Sequence, residues 1–172
     1  MSELATVATD RLLLRRVRAD AWQEQRLIDA DPRVMETLGG LRDPKETQEY
    51  MQQQAAHWTR HGFGLWSIHD RSTGDFVGRG GLRYVELDDG ELSIEVGYAL
   101  IPSCWGRGLA TEVASEAMEI GDRVLGLDRI IGITLPWNQA SRNVLEKVGL
   151  TYLRDTEYRA LPHALYEWVR TP

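Results

Sequence analysis

Trp105-Gly106-Arg107-Gly108-Leu109-Ala110-Thr111-Glu112 is the segment whose residue types point most directly to chemistry. Two glycines one residue apart stand where an alternating, strand-like stretch gives way to a helical one. Glycine there permits dihedrals that other residues avoid and lets the backbone approach a ligand. The first amides of a helix have no intrahelical acceptor, and the helix dipole adds partial positive charge. Together these features suit a phosphate or pyrophosphate. Other phosphate loops fit less well. The string G-x-x-x-x-G-K-S/T is absent, and the third glycine of G-x-G-x-x-G, counted from Gly106, is replaced by Thr111. A tight turn that merely packs a helix on a sheet is the alternative reading of a lone G-x-G.

The elements that would hold this turn can be read on both sides of it. Arg11 to Val17 reads as a strand, with Leu12 and Leu14 alternating against Arg11, Leu13 and Arg15. Asp20 and Gln23 are placed as a capping box for a helix from Ala21 to Ala30, which breaks at Asp31-Pro32. A loop over Gly39 to Pro44 precedes a helix from Lys45 to His61, stopped by Gly62. Leu65 to His69 and Phe76 to Val85 are strands joined by a turn, and Asp88-Asp89-Gly90 signals a second hairpin. The fourth strand puts Leu92, Ile94, Val96, Tyr98 and Leu100 on one face and Glu91, Ser93, Glu95, Gly97 and Ala99 on the other.

After Ile101-Pro102 the period changes. Ala110, Val113, Ala114, Ala117, Met118, Gly121, Val124 and Leu125 fall on one helical stripe. Arg129 to Leu135 is the fifth strand. Asn138 can cap a helix running to Val148, closed by Gly149, and Thr151 to Tyr158 and His163 to Arg170 form two last strands. The expected fold is a single α/β domain over residues 1–172. It has a mixed, mostly antiparallel twisted sheet of about seven strands, flanking helices and one central right-handed parallel β-α-β crossover.

Composition bounds the rest. The chain has 172 residues, of which 42% are hydrophobic, enough for a core without staples. One cysteine, Cys104, excludes an intramolecular disulfide framework and a multi-cysteine zinc site, and fits a reducing compartment. A net charge of −6 disfavours broad binding to nucleic acid and mildly favours a cationic substrate. Arginine supplies eighteen of the twenty basic residues, and no function is assigned to that bias. No apolar run approaches the ~20 residues that cross a bilayer. Met1-Ser2-Glu3-Leu4 lacks the pattern of a signal peptide, so a soluble cytoplasmic protein without membrane partners is expected.

Further strings give the glycine turn its meaning. Glu95-Val96-Gly97-Tyr98-Ala99-Leu100 precedes it. Asn138-Gln139-Ala140-Ser141-Arg142-Asn143 follows one strand later and leads to Glu146-Lys147-Val148-Gly149. Thr9-Asp10-Arg11-Leu12-Leu13-Leu14-Arg15 and Gly74-Asp75-Phe76-Val77-Gly78 extend the pattern over nearly the whole chain. The combination resembles the GNAT acetyltransferase superfamily, in its RimJ/RimL-like branch. That resemblance implies the GNAT fold, acetyl-CoA as cosubstrate, and a pyrophosphate cradled by the turn Q/R-x-x-G-x-G/A. Here Gly108 and Ala110 match it, while Trp105 stands at the Q/R position. By the same resemblance, amides near Gly106, Arg107, Gly108, Leu109, Ala110 and Thr111 face phosphates. Leu100 and Ile101 pair with the pantetheine arm as an added strand. Asn138 bonds the cosubstrate, and Arg142 reaches a phosphate.

Acetyl transfer needs a neutral amine, a polarised thioester carbonyl and a departing thiolate. Amides at the end of the fourth strand could polarise the carbonyl, and proximity supplies much of the rate. Neutralising an α-amine of pKa ~7.7–8.0 at pH 7 costs about 1 kcal/mol, whereas a lysine at ~10.4 costs roughly 4.6 kcal/mol. Glu95 is the candidate base, against its reading as a solvated sheet carboxylate or salt-bridge partner. Many family members carry a tyrosine acid seven residues after the asparagine, and here that residue is Leu145. Ser141 could donate to the thiolate instead, or merely bond local backbone. A thiol of pKa ~8.5 barely needs an acid.

The expected activity is direct transfer, in a ternary complex, to a primary amine, with a protein N-terminal α-amine first and a small molecule or antibiotic second. A non-catalytic acyl-CoA-binding module and a nucleotide-binding regulator are the rivals from other classes. The acting unit is expected to be a monomer or homodimer. His57 and His61 lie four apart without a clear third ligand, so no metal site is expected. Cys104 reads as a packed thiol rather than a nucleophile. Trp22, Trp58, Trp66 and Trp137 read as core.

Overall fold

The computed structural model describes residues 3–171, so Met1 and Ser2, on which the N-terminal reading partly rests, and Pro172 lie outside it. Eight strands form one sheet: β1 (Thr6–Ala8), β2 (Leu12–Arg16), β3 (Leu65–Asp70), β4 (Phe76–Glu86), β5 (Leu92–Leu100), β6 (Arg129–Thr134), β7 (Thr151–Tyr158) and β8 (Leu161–Val169). Their spatial order is β1-β2-β3-β4-β5-β6-β8-β7. Every neighbouring pair is antiparallel except β5 and β6, which are parallel. The expected architecture is therefore present with one strand more. β1 is three residues long, too short to show a period, and it pairs with β2 from Thr6 opposite Arg15 to Ala8 opposite Leu13.

Five helices accompany the sheet: α1 (Trp22–Asp29), α2 (Pro32–Met35), α3 (Pro44–His61), α4 (Leu109–Glu119) and α5 (Gln139–Lys147). The capping box expected at Asp20 and Gln23 does not form. Asp20 lies in a 3₁₀ turn, Ala19–Ala21, and its carboxylate takes the Arg18 guanidinium instead. A capping box does open α3. Asp43 accepts from the Glu46 N–H, and Glu46 accepts from the Asp43 N–H. The break at Asp31-Pro32 also starts a helix, because Asp31 caps α2 and proline suits its first turn.

α4 lies across β4, where a Cβ added to Gly80 would come within 2.6 Å of Val113. Its stripe is buried through Val113, Ala114, Ala117, Met118 and Gly121, and Leu125 packs against the core, whereas Val124 falls outside it. A π turn spans Ile120–Val124, with the Leu125 N–H bonded to the Ile120 carbonyl. The extra residue per turn buries Ile120 and leaves Val124 exposed, against the expected stripe. On the opposite sheet face, Ile28, Val34 and Met35 of α1 and α2 pack on Phe76 and Ala99. No helix among the described residues is long and apolar enough to cross a membrane.

Candidate active site

β5 and β6 share one registered pair, Glu95 with Ile131, although β5 continues to Leu100 and β6 to Thr134. Ladder bonds alternate sides along a strand. The Ile101 N–H donates to the Val77 carbonyl at 3.0 Å, so odd-numbered residues of β5 turn their main-chain groups toward β4. The even-numbered ones face β6, and beyond the single pair Tyr98 and Leu100 do so without a registered partner. That unpaired edge leads directly to the glycine turn.

Gly106 and Gly108 both adopt left-handed conformations, with φ of 70° and 73°. Gly108 is the N-cap of α4 and offers no side-chain cap. Glu112 closes the first helical turn on the Gly108 carbonyl, and the N–H groups from Gly106 to Thr111 have no acceptor among the described residues. The donors expected to receive a diphosphate are thus free. Thr9, Arg11 and Glu112, to which the sequence assigns no role, hold the turn in place. The Glu112 carboxylate accepts from Thr9 at 2.6 Å, from the Arg11 N–H at 2.9 Å and from Arg11 Nε at 2.7 Å. Arg11 Nη1 then donates to the Arg107 carbonyl at 2.8 Å. Partial burial works to raise the Glu112 pKa, but the bonds from Thr9 and Arg11 outweigh it and hold the carboxyl below its ordinary range.

Trp105, at the Q/R position, bridges the turn to the strand before it. Its indole N–H donates to the Leu100 carbonyl at 2.8 Å, tying the end of β5 to the turn. The same bonds bear on the edge expected to meet the pantetheine arm. The Leu100 carbonyl accepts from Trp105 and the Ile101 N–H bonds β4, while neither Tyr98 nor Leu100 has a registered partner on β6.

Asn138 caps α5, and its Oδ1 accepts from the Ser141 N–H at 3.2 Å. Its amide nitrogen has no partner among the described residues. Arg142 Nε donates to the Tyr166 hydroxyl at 2.8 Å and its Nη1 to the Pro136 carbonyl at 3.1 Å, so reaching a phosphate requires giving up these bonds. Tyr98, another residue the sequence reading passed over, donates to the Ser141 carbonyl at 3.0 Å, with the Ser141 hydroxyl at 3.2 Å. Burial pushes the Tyr98 phenol above its ordinary pKa. Leu145 is buried against Gly132, where an added Cβ would meet it at 2.5 Å, so the usual tyrosine position serves the core.

Glu95 is buried on the face covered by α1 and α2, not solvated. Arg83, its registered partner on β4, donates to Glu95 Oε2 from Nε and Nη2, both at 2.9 Å. The carboxylate leans along the strand toward Gly97, whose absent Cβ would lie 3.8 Å from that oxygen. A Cβ there would make only ordinary contact with the carboxylate, two residues along β5 from the Glu95–Ile131 pair. Glu95 raises the Arg83 pKa, against the effect of burial.

Further along this face Arg79 is buried and donates to the Tyr50 hydroxyl. Arg42 stacks on the same ring at 4.4 Å and pairs with the buried Asp29 at 2.9 Å. Two polar atoms of this cluster have no partner, Arg79 Nε and Asp29 Oδ2. A cavity of about 300 Å³ opens beside it between α3, the end of β4 and the β7–β8 tip. A cavity of about 440 Å³ between β2, β3 and α1 lies away from the parted strands.

The remaining expectations divide. His57 Nδ1 bonds the Phe63 carbonyl at 3.0 Å and its Nε2 accepts from the Tyr84 N–H at 3.1 Å, so both nitrogens serve the backbone. Cys104, Trp58 and Trp66 are buried as read. Trp137 is 63% exposed, which corrects its core assignment, because it precedes the Asn138 cap on the outer side of the turn.

An acetyltransferase (GNAT) domain model matches residues 11–151, and the chain belongs to that family. Two relatives by sequence are YkkB of Bacillus subtilis (strain 168), 29% identical over 97% of each chain, and the FsC-acetyl coenzyme A-N(2)-transacetylase of Aspergillus fumigatus. The latter is 32% identical over 73% of this chain and 56% of its own. The fold is shared with an acetyltransferase from Agrobacterium tumefaciens str. C58, with a TM-score of 0.84 and 26% identity over 96% of this chain and 94% of that one. It is also shared with RimL, a ribosomal L7/L12 α-N-protein acetyltransferase in complex with coenzyme A, with a TM-score of 0.78 and 18% identity over 95% and 97%. The protein is an acetyl-CoA-dependent GNAT acetyltransferase.

Proposed function

We propose that the acceptor is a primary α-amine, foremost a protein N-terminus, acetylated by direct attack in a ternary complex. The observation that carries this reading is the Glu95–Arg83 ion pair beside Gly97. With a single carboxylate at this row to take up the amine proton, an amine whose neutralisation costs about 1 kcal/mol at pH 7 is served more readily than a lysine at roughly 4.6 kcal/mol. Acetyl-CoA supplies the activated acetyl group. The free N–H groups from Gly106 to Thr111 would hold its diphosphate, and the Tyr98 and Leu100 edge its pantetheine arm. Asn138, with its amide nitrogen unpaired, would donate to the same arm. Glu95 would take the amine proton. Ser141, held by Tyr98, would face the departing sulfur.

A small-molecule amine is the second reading, favoured by the 300 Å³ cavity next to the Glu95 row. The test is thiol release from acetyl-CoA across peptides of varied N-terminus, lysine side chains blocked at the α-amine, polyamines and aminoglycosides. Peptide α-amines should give the highest kcat/KM. Faster turnover of lysine side chains or aminoglycosides would overturn the assignment.

A further inference from the structure

The buried cluster on the acceptor face does not balance. Arg42, Arg79 and Arg83 bring three positive charges, while Asp29 and Glu95 bring two negative ones. Arg79 is 8% exposed, has no carboxylate partner, and leaves its Nε–H unbonded. A buried charge without a counter-ion is costly, so an uneven cluster is expected to acquire one.

The cavity beside the cluster shows where. Tyr50 and Arg83 both line it. The Tyr50 oxygen accepts from Arg79, which leaves its own hydroxyl proton without an acceptor. Arg83 spends Nε and Nη2 on Glu95, which leaves Nη1 without one. Arg159, at the β7–β8 tip, adds a third donor at the mouth, its side chain resting on the Tyr158 ring at 5.1 Å. The cavity therefore presents donors of positive character. Its one lining carboxylate, Glu86, is exposed at the rim.

We infer that the acceptor carries a carboxylate near its reactive amine, and that this group docks on the Tyr50 hydroxyl and the free edge of Arg83. The inference rests on the acetyltransferase reading and narrows its substrate class. Arg83 would then sit between two carboxylates, Glu95 at the amine and the acceptor's own at the cavity, setting the distance between them. The local field is opposite in sign to the overall charge of −6, which is screened within about 10 Å at moderate salt. A free amino acid and a peptide with an acidic residue at its N-terminal end both present this chemistry.

Two paired sets of acceptors test it in the presence of acetyl-CoA: free amino acids against their carboxamides, and peptides starting with Asp or Glu against those starting with Asn or Gln. The carboxylate member of at least one set should win by tenfold or more in kcat/KM. The set that shows the preference identifies the source. In Tyr50→Phe, which keeps the ring between Arg42 and Arg79, that ratio should fall below threefold. Equal or better use of the neutral members, or an unchanged ratio in the variant, would overturn the inference.

Calorimetric titration of the same compounds onto the CoA-bound protein separates this from the catalytic reading. If no amine is acetylated, the proposed activity fails, yet binding of carboxylates and not carboxamides would still sustain the subsite. Absence of that discrimination in the wild-type protein would remove it.

Discussion

The two ends of the parted strands are built from different materials. At the β5 exit the groups proposed to meet the cosubstrate are main-chain ones, from Gly106 to Thr111 and along Tyr98 and Leu100. At the other end they are side chains drawn from separate elements: Tyr50 of α3, Arg83 of β4, Glu95 of β5 and Arg159 of the last hairpin. A main-chain cradle depends on dihedrals and hardly on which side chains surround it, so it can be kept for one cosubstrate while the sequence drifts. A side-chain cavity changes with each substitution, and it is where acceptor choice can vary on a constant fold.

The strongest way to break this contrast is at Gly108. Any side chain there is strained at φ of 73°, and glutamate also sets a negative charge against a diphosphate. Gly108→Glu should weaken CoA binding by 100-fold or more in calorimetry, with an unchanged circular dichroism spectrum. Arg107→Ala, which removes a side chain and keeps every N–H, should cost less than tenfold. Equal losses in the two variants would mean that side chains, not amides, hold the diphosphate.

The acceptor end is probed next by Glu95→Gln. The buried amide keeps one bond to Arg83 and loses the proton acceptor, so kcat should fall about 10–100-fold with little change in KM for acetyl-CoA. The loss should widen below pH 7, where more of the amine is protonated. An unchanged pH–rate profile in the variant would take Glu95 out of the chemistry and leave it as the structural partner of Arg83.

The same contrast explains what the sequence disclosed. Local signals named the turn, the Asn138 cap and the order of elements, because glycine, capping and period act over a few residues. Partnerships across the sheet were less visible. The Arg83–Glu95 pair was nevertheless within reach, since equal counting on both sides of Asp89 in the β4–β5 hairpin sets them opposite. No such count brings Tyr50 to Arg79, or Thr9 and Arg11 to Glu112, since those contacts depend on how helices settle on the sheet. The π turn at Ile120 was hidden for a related reason. Its sequence reads as continuous helix, and only packing against Leu82, Leu127 and Ile130 at Gly121 displaces the phase.

Departure of the thiolate should matter less than either binding end. A thiol of pKa ~8.5 leaves readily near neutral pH, and burial makes the Tyr98 phenol a poorer acid than usual. Ser141→Ala and Tyr98→Phe should each lower kcat less than about threefold. A loss above 30-fold in either, with CoA binding intact, would show that protonating the sulfur limits turnover, and would make the α5 end as chemically demanding as the Glu95 end.

The smallest effect concerns His57, which lines the acceptor cavity but serves the backbone. Burial lowers its pKa from the ordinary 6.5; the bond to the Phe63 carbonyl opposes this, and the nearby His61 and Arg83 charges add to it. The folded state thus favours the neutral ring, whose Nε2 accepts from Tyr84. Its contribution to stability is full above pH 6.5 and is lost as the pH falls below that value, because the unfolded chain takes up the proton more readily. Between pH 7 and pH 5 the wild-type Tm should drop roughly 1–2 °C more than that of His57→Gln, a modest difference because the ring is only half-buried. Parallel curves would mean that the Tyr84 bond survives protonation by rearrangement. The wall shared by α3 and β4 would then be more adaptable than the main-chain cradle at the opposite end.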